Sequence, residues 1–316
     1  MTAFTPDHAS RFPHRPLVAG IELGGTKCIC TLATGPDDVL DQRTVPTLDP
    51  ETTLTAIAGV LAEWWQGTGF SALGIASFGP LDLNPQSPRF GHILATTKKG
   101  WEGADIAGRL SAPYDVPMSL DTDVNGAAIA ELRWGAGQGL ADFAYITVGT
   151  GVGVGLVVNG QTVRGFGHCE MGHLRVPRLP GDNGPSSCDF HSDCVEGLAS
   201  GSALKLAAGA RHISDISSDD PVWARIIHAV ACLCHALAAT TAPHRIAVGG
   251  GVFARQAHLL PRLEQETRAS LNGYLTLPEE KPYVIAPALG DQAGPMGPIA
   301  LALGTLAPAG EAAASS

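Results

Sequence analysis

The sequence predicts an α/β protein of two domains that meet at a ligand cleft, and three observations carry that prediction. The chain has 316 residues, 45% hydrophobic and only 16% charged, which is apolar material enough for two sizeable cores. Strand-like apolar runs alternate with helix-like stretches along it. Two glycine-rich hairpins of similar design, near residues 24 and 150, suggest a duplicated architecture. The net charge of −10 argues against gripping nucleic acid or an anionic membrane by charge alone, so neither is an expected partner.

The opening "MTAFTPDHASRFPHRP" is mixed and Pro-rich, lacks the order of a leader peptide, and is expected to be a flexible tail. "LVAGIELGGTKCICTLAT" then gives an apolar run, a turn of Gly24, Gly25, Thr26 and Lys27, and a second apolar run, which reads as a β-hairpin. "FAYITVGTGVGVGLVVNG" repeats the design, with Thr147 closing one strand, Gly149, Thr150 and Gly151 in the turn, and a tight Asn159-Gly160 after the next strand. Glycine lets a backbone approach an anion closely, and successive free N–H groups with a Thr hydroxyl can cradle phosphate oxygens. Either hairpin alone reads equally well as an ordinary turn. The pair, with acidic residues nearby, points to a phosphate held between two domains.

No stretch fits the P-loop pattern G-x-x-x-x-G-K-[ST]. "IAVGGGVFA" satisfies G-x-G-x-x-A through Gly249 and Gly251, but the βαβ sequence that a dinucleotide site needs does not follow. Gly249, Gly250 and Gly251 read better as a loop beneath a nucleotide base or ribose. "VWARIIHAVACLCHALAAT" is the longest apolar stretch, and its Arg225, His228 and His235 make it a buried helix rather than a membrane span. A soluble, cytoplasmic protein is the expectation. Seven cysteines form an odd, sparse set that favours reduced thiols, with Cys28, Cys30, Cys232 and Cys234 as core fillers.

"MSLDTDVNGAAIAELRWG" gives a short strand and then a helix that begins near Asp123 to Asn125 and ends at Gly135. Asp123 at a helix start reads as a cap. It is also the best-placed carboxylate to orient an acceptor hydroxyl and take its proton in phosphoryl transfer, with Mg²⁺ and backbone donors steadying the transferred group. Glu22, just before the first glycine turn, offers oxygen to Mg²⁺ directly or through water, or is a strand-end surface residue.

The motifs "GIELGGTK", "GIASFGPLDL", "DTDVNGAAIAELRWGAG", "ITVGTGVGVGLVVNG", "HCEMGHLRVPR", "CDFHSDCVEGLASG", "IAVGGGVF" and "PALGDQAGPMG" occur in an order that resembles the ROK family of sugar kinases, over residues 17 to 304. "GIELGGTK", "GIASFGPLDL" and "KKGW" look most like its bacterial fructokinase branch; many glucokinase-like members have Asp at the Glu22 position. The resemblance implies a two-domain actin-like ATPase (ribonuclease H-like) fold with an interdomain cleft. Residues 17–120 with 292–304 would form the smaller domain and 121–291 the larger, with a zinc loop at 168–197 and tails at 1–16 and 305–316. It implies ATP- and Mg²⁺-dependent phosphorylation of a hexose, foremost D-fructose at its 6-hydroxyl, with glucose, mannose or N-acetylmannosamine as alternatives. In the family the residue matching Asp123 is the general base. Sugar hydroxyls are held by residues matching Glu170, His173 and Glu196, and "GGTK" and "GTG" match the phosphate loops. Many relatives have Asn where this chain has Thr122, so a sugar contact there is an open expectation. A homodimer is common in the family. Some members are sugar-responsive repressors with an N-terminal DNA-binding domain, a reading disfavoured by the sixteen residues before the first strand.

With His173, the stretch "CDFHSDC" gives H-x₁₄-C-x₂-H-x₂-C, and His173, Cys188, His191 and Cys194 suit a closed, structural, tetrahedral Zn²⁺ site. The family carries a structural zinc in this segment. A Cys188–Cys194 disulfide is the competing reading, disfavoured in a reducing compartment. His168 and Cys169 are read as bystanders.

Overall fold

The computed structural model describes residues 15–209, 211–212, 215–256, 258–278 and 281–306. Most of both expected tails lies outside these. The first lobe opens with β1 (Val18–Leu23), β2 (Lys27–Gly35), β3 (Asp38–Pro46), α1 (Pro50–Gly67), β4 (Leu73–Ser77), α2 (Ile106–Ser111) and β5 (Met118–Thr122). β1 and β4 are buried almost throughout, as central strands covered on both faces must be, and they pair in parallel, while β2 and β3 return antiparallel. The sheet order is β3-β2-β1-β4-β5. α1 starts where the sequence provides a cap and a proline: the Asp49 carboxylate accepts from Thr52 N at 3.0 Å, with Pro50 at the first helical position. Its Leu54, Ile57, Leu61 and Trp64 complete the first core.

The chain then runs through α3 (Asp123–Trp134), β6 (Phe143–Val148), β7 (Val152–Val158), β8 (Gln161–Thr162), α4 (Val195–Ala199), α5 (Gly201–Ala208), α6 (Pro221–Thr240), β9 (Arg245–Gly249), α7 (Gly250–Ala254), α8 (Leu259–Leu271) and β10 (Val284–Ile285), closing with α9 (Ala293–Leu306). The second sheet is ordered β10-β9-β6-β7-β8, with β6 antiparallel to β7 and parallel to β9. Counted from its own first strand, β6, this is the connectivity of the first sheet repeated. The two glycine hairpins, β1–β2 and β6–β7, occupy equivalent places in it. α6 is long and apolar enough to cross a membrane, but 61% of its apolar window is buried in the fold, where Trp223, Ile226 and Val230 join the second core.

α3 and α9 fill the space between the sheets. They cross where a Cβ on Gly297 would lie 2.7 Å from the Gly126 carbonyl carbon. A side chain on Gly74 of β4 would fall on the Pro298 carbonyl of α9, and one on Gly155 of β7 on the Val124 carbonyl of α3. Glu131, fully buried on α3, accepts from Ala136 N at 2.6 Å, Ala288 N at 3.0 Å and Leu289 N at 2.8 Å, fixing the loop that leads into α9. The expected boundary at 120 shifts slightly. β5 belongs to the first sheet through Thr122, α3 packs against both lobes, and α9 takes residues 305 and 306 from the expected tail.

Gly74→Ala is expected to lower unfolding stability by about 1–3 kcal/mol, because the backbone of α9 must give way. Gly59→Ala, at an exposed position of α1 where a Cβ meets nothing within 4 Å, is expected to raise it by about 0.5–1 kcal/mol. Urea denaturation of the two variants measures the contrast.

Candidate functional site

A cavity of about 870 Å³ opens between the lobes. Its floor is the junction of β5 and α3, its first-lobe side is the 78–80 loop after β4, and its second-lobe side is the β6–β7 turn and the 168–196 excursion. Of the residues expected to act on a ligand, it brings together Thr122, Asp123, Thr147, Gly149, Thr150, Gly151, Glu170, His173 and Glu196.

The floor is built on Asp121, which the sequence analysis did not single out. It is fully buried, and its carboxylate accepts four hydrogen bonds: from Thr122 N and Asn125 Nδ2, both at 2.8 Å, from Thr162 Oγ1 at 2.9 Å and from Arg164 Nη2 at 2.6 Å. The first two hold the start of α3, and the last two reach the second lobe. Thr122 is the N-cap, its Oγ1 accepting from Asn125 N at 3.2 Å. The capping role that Asp123 could have taken is therefore filled by its neighbour, and the Thr122 hydroxyl keeps its proton and one lone pair to offer a ligand. Asp123 is the first helical residue. Burial pushes its carboxyl up to about 6, the Val124 N–H at 2.8 Å pulls it down, and the Glu170 carboxylate pushes it up again. A carboxylate in this range is ionised at neutral pH and basic enough to take a proton from a bound hydroxyl.

Glu22, at the end of β1, does not line the cavity. Burial, followed by the Asp123 charge, pushes its carboxyl up to about 7, with Lys27 opposing. Two carboxylates both raised by burial, one of them raised further by the other's charge, suit a hard divalent cation, which would favour the ionised forms. The Gly24–Lys27 turn also stands outside the cavity wall; Gly24 N donates to Lys27 O at 3.1 Å, and Lys98 Nζ donates to Gly25 O. The second turn is inside, braced by Gly201 N donating to Gly149 O at 2.7 Å and Ser202 Oγ to Thr150 O at 2.8 Å. Gly249–Gly251 lie behind it. Gly250 has φ +82°, and a Cβ there would be 2.5 Å from Val148 N, so this segment supports the turn from β6 rather than lining the cavity.

The ligand atoms of His173, Cys188, His191 and Cys194 lie within 4.8 Å of one another. Cys188 Sγ is 3.7 Å from Nδ1 of both His173 and His191, and Cys194 Sγ is 3.9 Å from His173 Nδ1. The S–N edge of a tetrahedron with zinc's usual bond lengths is about 3.6 Å, so two thiols and two imidazoles fit Zn²⁺ in donor type and spacing. Both thiols are free, and His168 and Cys169 stand apart from the cluster. Arg225 anchors the far side of the excursion, 3.2 Å from Asp182 and donating to Pro185 O at 2.5 Å. With Nδ1 turned to the thiols, His173 presents Nε2 to Glu196 Oε1 at 3.9 Å, and Glu196 Oε2 accepts from Val152 N at 3.0 Å. Glu196 thus bridges His173 and the strand leaving the β6–β7 turn, a link the sequence did not disclose.

Comparison with known proteins agrees with this geometry. The ROK family matches residues 18–305. A fructokinase from Pediococcus pentosaceus is 37% identical over 92% of this chain and 99% of its own, and a fructokinase from Zymomonas mobilis subsp. mobilis is 38% identical over 90% and 95%. Among solved structures, a ROK family glucokinase from Streptomyces griseus in complex with glucose and AMPPNP superposes with a TM-score of 0.68, at 26% identity, over 91% of this chain and 99% of that one.

Asp121→Ala would leave Arg164, Asn125 and Thr162 without their common acceptor. The expected cost is about 2–4 kcal/mol of unfolding stability, against about 1 kcal/mol for Thr162→Val, which removes one neutral hydrogen bond. Chemical denaturation of both variants measures the difference.

Proposed function

The chain belongs to the ROK family, and from that premise we propose that it transfers the γ-phosphoryl group of ATP to a hexose, D-fructose in the first place. The observation that carries the reading is Asp123: a buried carboxylate raised to about 6, at a helix start, sharing one cavity with a glycine turn and with Glu170, His173 and Glu196. The hexose lies against these three side chains, which pair with its hydroxyls and exclude water. Asp123 accepts the proton of the attacking hydroxyl as that oxygen bonds to the γ-phosphorus and the bond to the ADP oxygen breaks. Backbone N–H groups of Thr150 and Gly151 face the phosphates, the Gly149 N–H being committed to Gly151 O, and the Gly24–Lys27 turn reaches them when the lobes approach. Mg²⁺, held by Glu22 directly or through water, would neutralise charge on the phosphates. Zn²⁺ on His173, Cys188, His191 and Cys194 would be structural, fixing the loop that presents Glu170 and Glu196. Fructose is favoured by the names of the most similar relatives. Membership also supports a cytoplasmic homodimer, which sedimentation would read as twice the chain mass.

Kinetics and metal analysis test the reading. A coupled assay with ATP across fructose, glucose, mannose and N-acetylmannosamine should show the highest kcat/KM for fructose. Because the base acts ionised, kcat should fall as the pH drops through about 6. Asp123→Asn should lose ~10²-fold or more in kcat and flatten that limb, and a folded variant with normal turnover would refute the assignment. The purified protein should hold about one zinc per chain. Cys188→Ser should lower the zinc content and raise the KM of both hexose and ATP, since Glu196 joins the metal site to the phosphate turn.

A further inference from the structure

We propose that His168 is a positioning residue that aims the Glu170 carboxylate at the hexose and ties that aim to the opposite wall of the cleft. The inference rests on the kinase reading above, in which Glu170 meets the sugar. His168 is 5% exposed, and its Nε2 accepts a hydrogen bond from Leu81 N at 2.9 Å. Leu81 belongs to the first lobe and follows the loop that forms the cavity's first-lobe side, so this bond crosses the cleft. A ring nitrogen that accepts from a backbone N–H carries no proton, so the neutral imidazole holds its proton on Nδ1. That Nδ1 is buried without a hydrogen-bond partner. Glu170 Oε1 lies 3.4 Å away, on a side chain that is half exposed in the cavity.

An unmet buried donor beside a swinging carboxylate is a directed arrangement. A small rotation of Glu170 satisfies the Nδ1–H, and a hexose that displaces water from Glu170 strengthens the bond by removing its competitor. The first lobe enters through the ring's position. A Cβ on Gly79 would lie 3.0 Å from His168 Cε1, so the 79–81 backbone holds the imidazole by contact on one side and by the Leu81 N–H on the other.

The test separates the two ring nitrogens. His168→Asn keeps a nitrogen donor near the Nδ1 position and loses the acceptor for Leu81; His168→Gln keeps an acceptor near the Nε2 position and loses the donor to Glu170. The expected result is a hexose KM raised about tenfold in His168→Gln and His168→Ala with the ATP KM within about twofold of wild type, and substantial recovery in His168→Asn. In a Glu170→Gln background, His168→Gln should add less than about twofold, because the steered carboxylate is gone. Denaturation midpoints and zinc content of each variant show that it is folded. A His168→Gln enzyme with normal hexose KM, or fully additive effects of the two substitutions, would overturn the proposal. The wild-type panel reads the functional assignment separately: activity on a hexose other than fructose corrects the substrate and leaves the cycle to be run on that sugar, whereas activity on none overturns both.

Discussion

The active arrangement depends on one buried carboxylate that does no chemistry. Asp121 receives donors from its own strand end, from the first turn of α3 and from β8 with its following arginine, so one side chain fixes the last strand of the first lobe, the start of the central helix and the edge of the second lobe. An ionised group in the interior is tolerable only when its lone pairs are met, and four donors meet them. Once those donors are committed, Thr122 must cap the helix and Asp123 must enter the cleft two residues later. Asp123, the proposed base, is placed by where the charge before it could be satisfied.

The rest of the frame answers to close approach. Two lobes of repeated topology share α3 and α9 as their common filling, and the helices sit against strands and each other at glycines whose side chains would overlap carbonyl groups. Close-packed contacts of this kind resist gradual deformation, so movement between the lobes is directed to the loops that bridge the cleft. The Leu81–His168 bond lies on that path.

What was legible in the sequence were features written locally. The glycine turns announce themselves because glycine between two apolar runs marks a hairpin, and the helix begun near Asp123 shows its start and its glycine stop, although its cap is Thr122 rather than Asp123. Three of the four candidate metal ligands fall within seven residues, leaving one distant histidine to find. Asp121 was not legible, since a lone Asp near a strand end looks alike whether it faces water or four donors. Glu131 was hidden for the same reason, two of its three partners being backbone N–H groups more than 150 residues away. His168 read as a bystander because its partner is the backbone of Leu81, and a backbone N–H leaves no mark in a residue pattern. Arg225 was legible only as a charge in an apolar helix; its use, holding the 168–196 excursion, depends on a loop that meets it about forty residues earlier in the chain.

The charge balance of the cleft follows from these placements. A protein of net charge −10 gathers Glu22, Asp123, Glu170 and Glu196 around or beside one cavity, an unfavourable setting for a polyphosphate by Coulomb's law alone. Anion binding must therefore come from groups without a formal charge and from a cation brought with the nucleotide. In the proposed reading the glycine turns would supply the first as oriented N–H dipoles. Glu22 and Asp123, both raised by burial, supply the reason for the second. In the proposed reading a cation that holds Glu22 in its ionised form would turn the repulsion between Glu22 and Asp123 into a site for phosphate, with Asp123, already ionised at neutral pH, left to meet the acceptor hydroxyl.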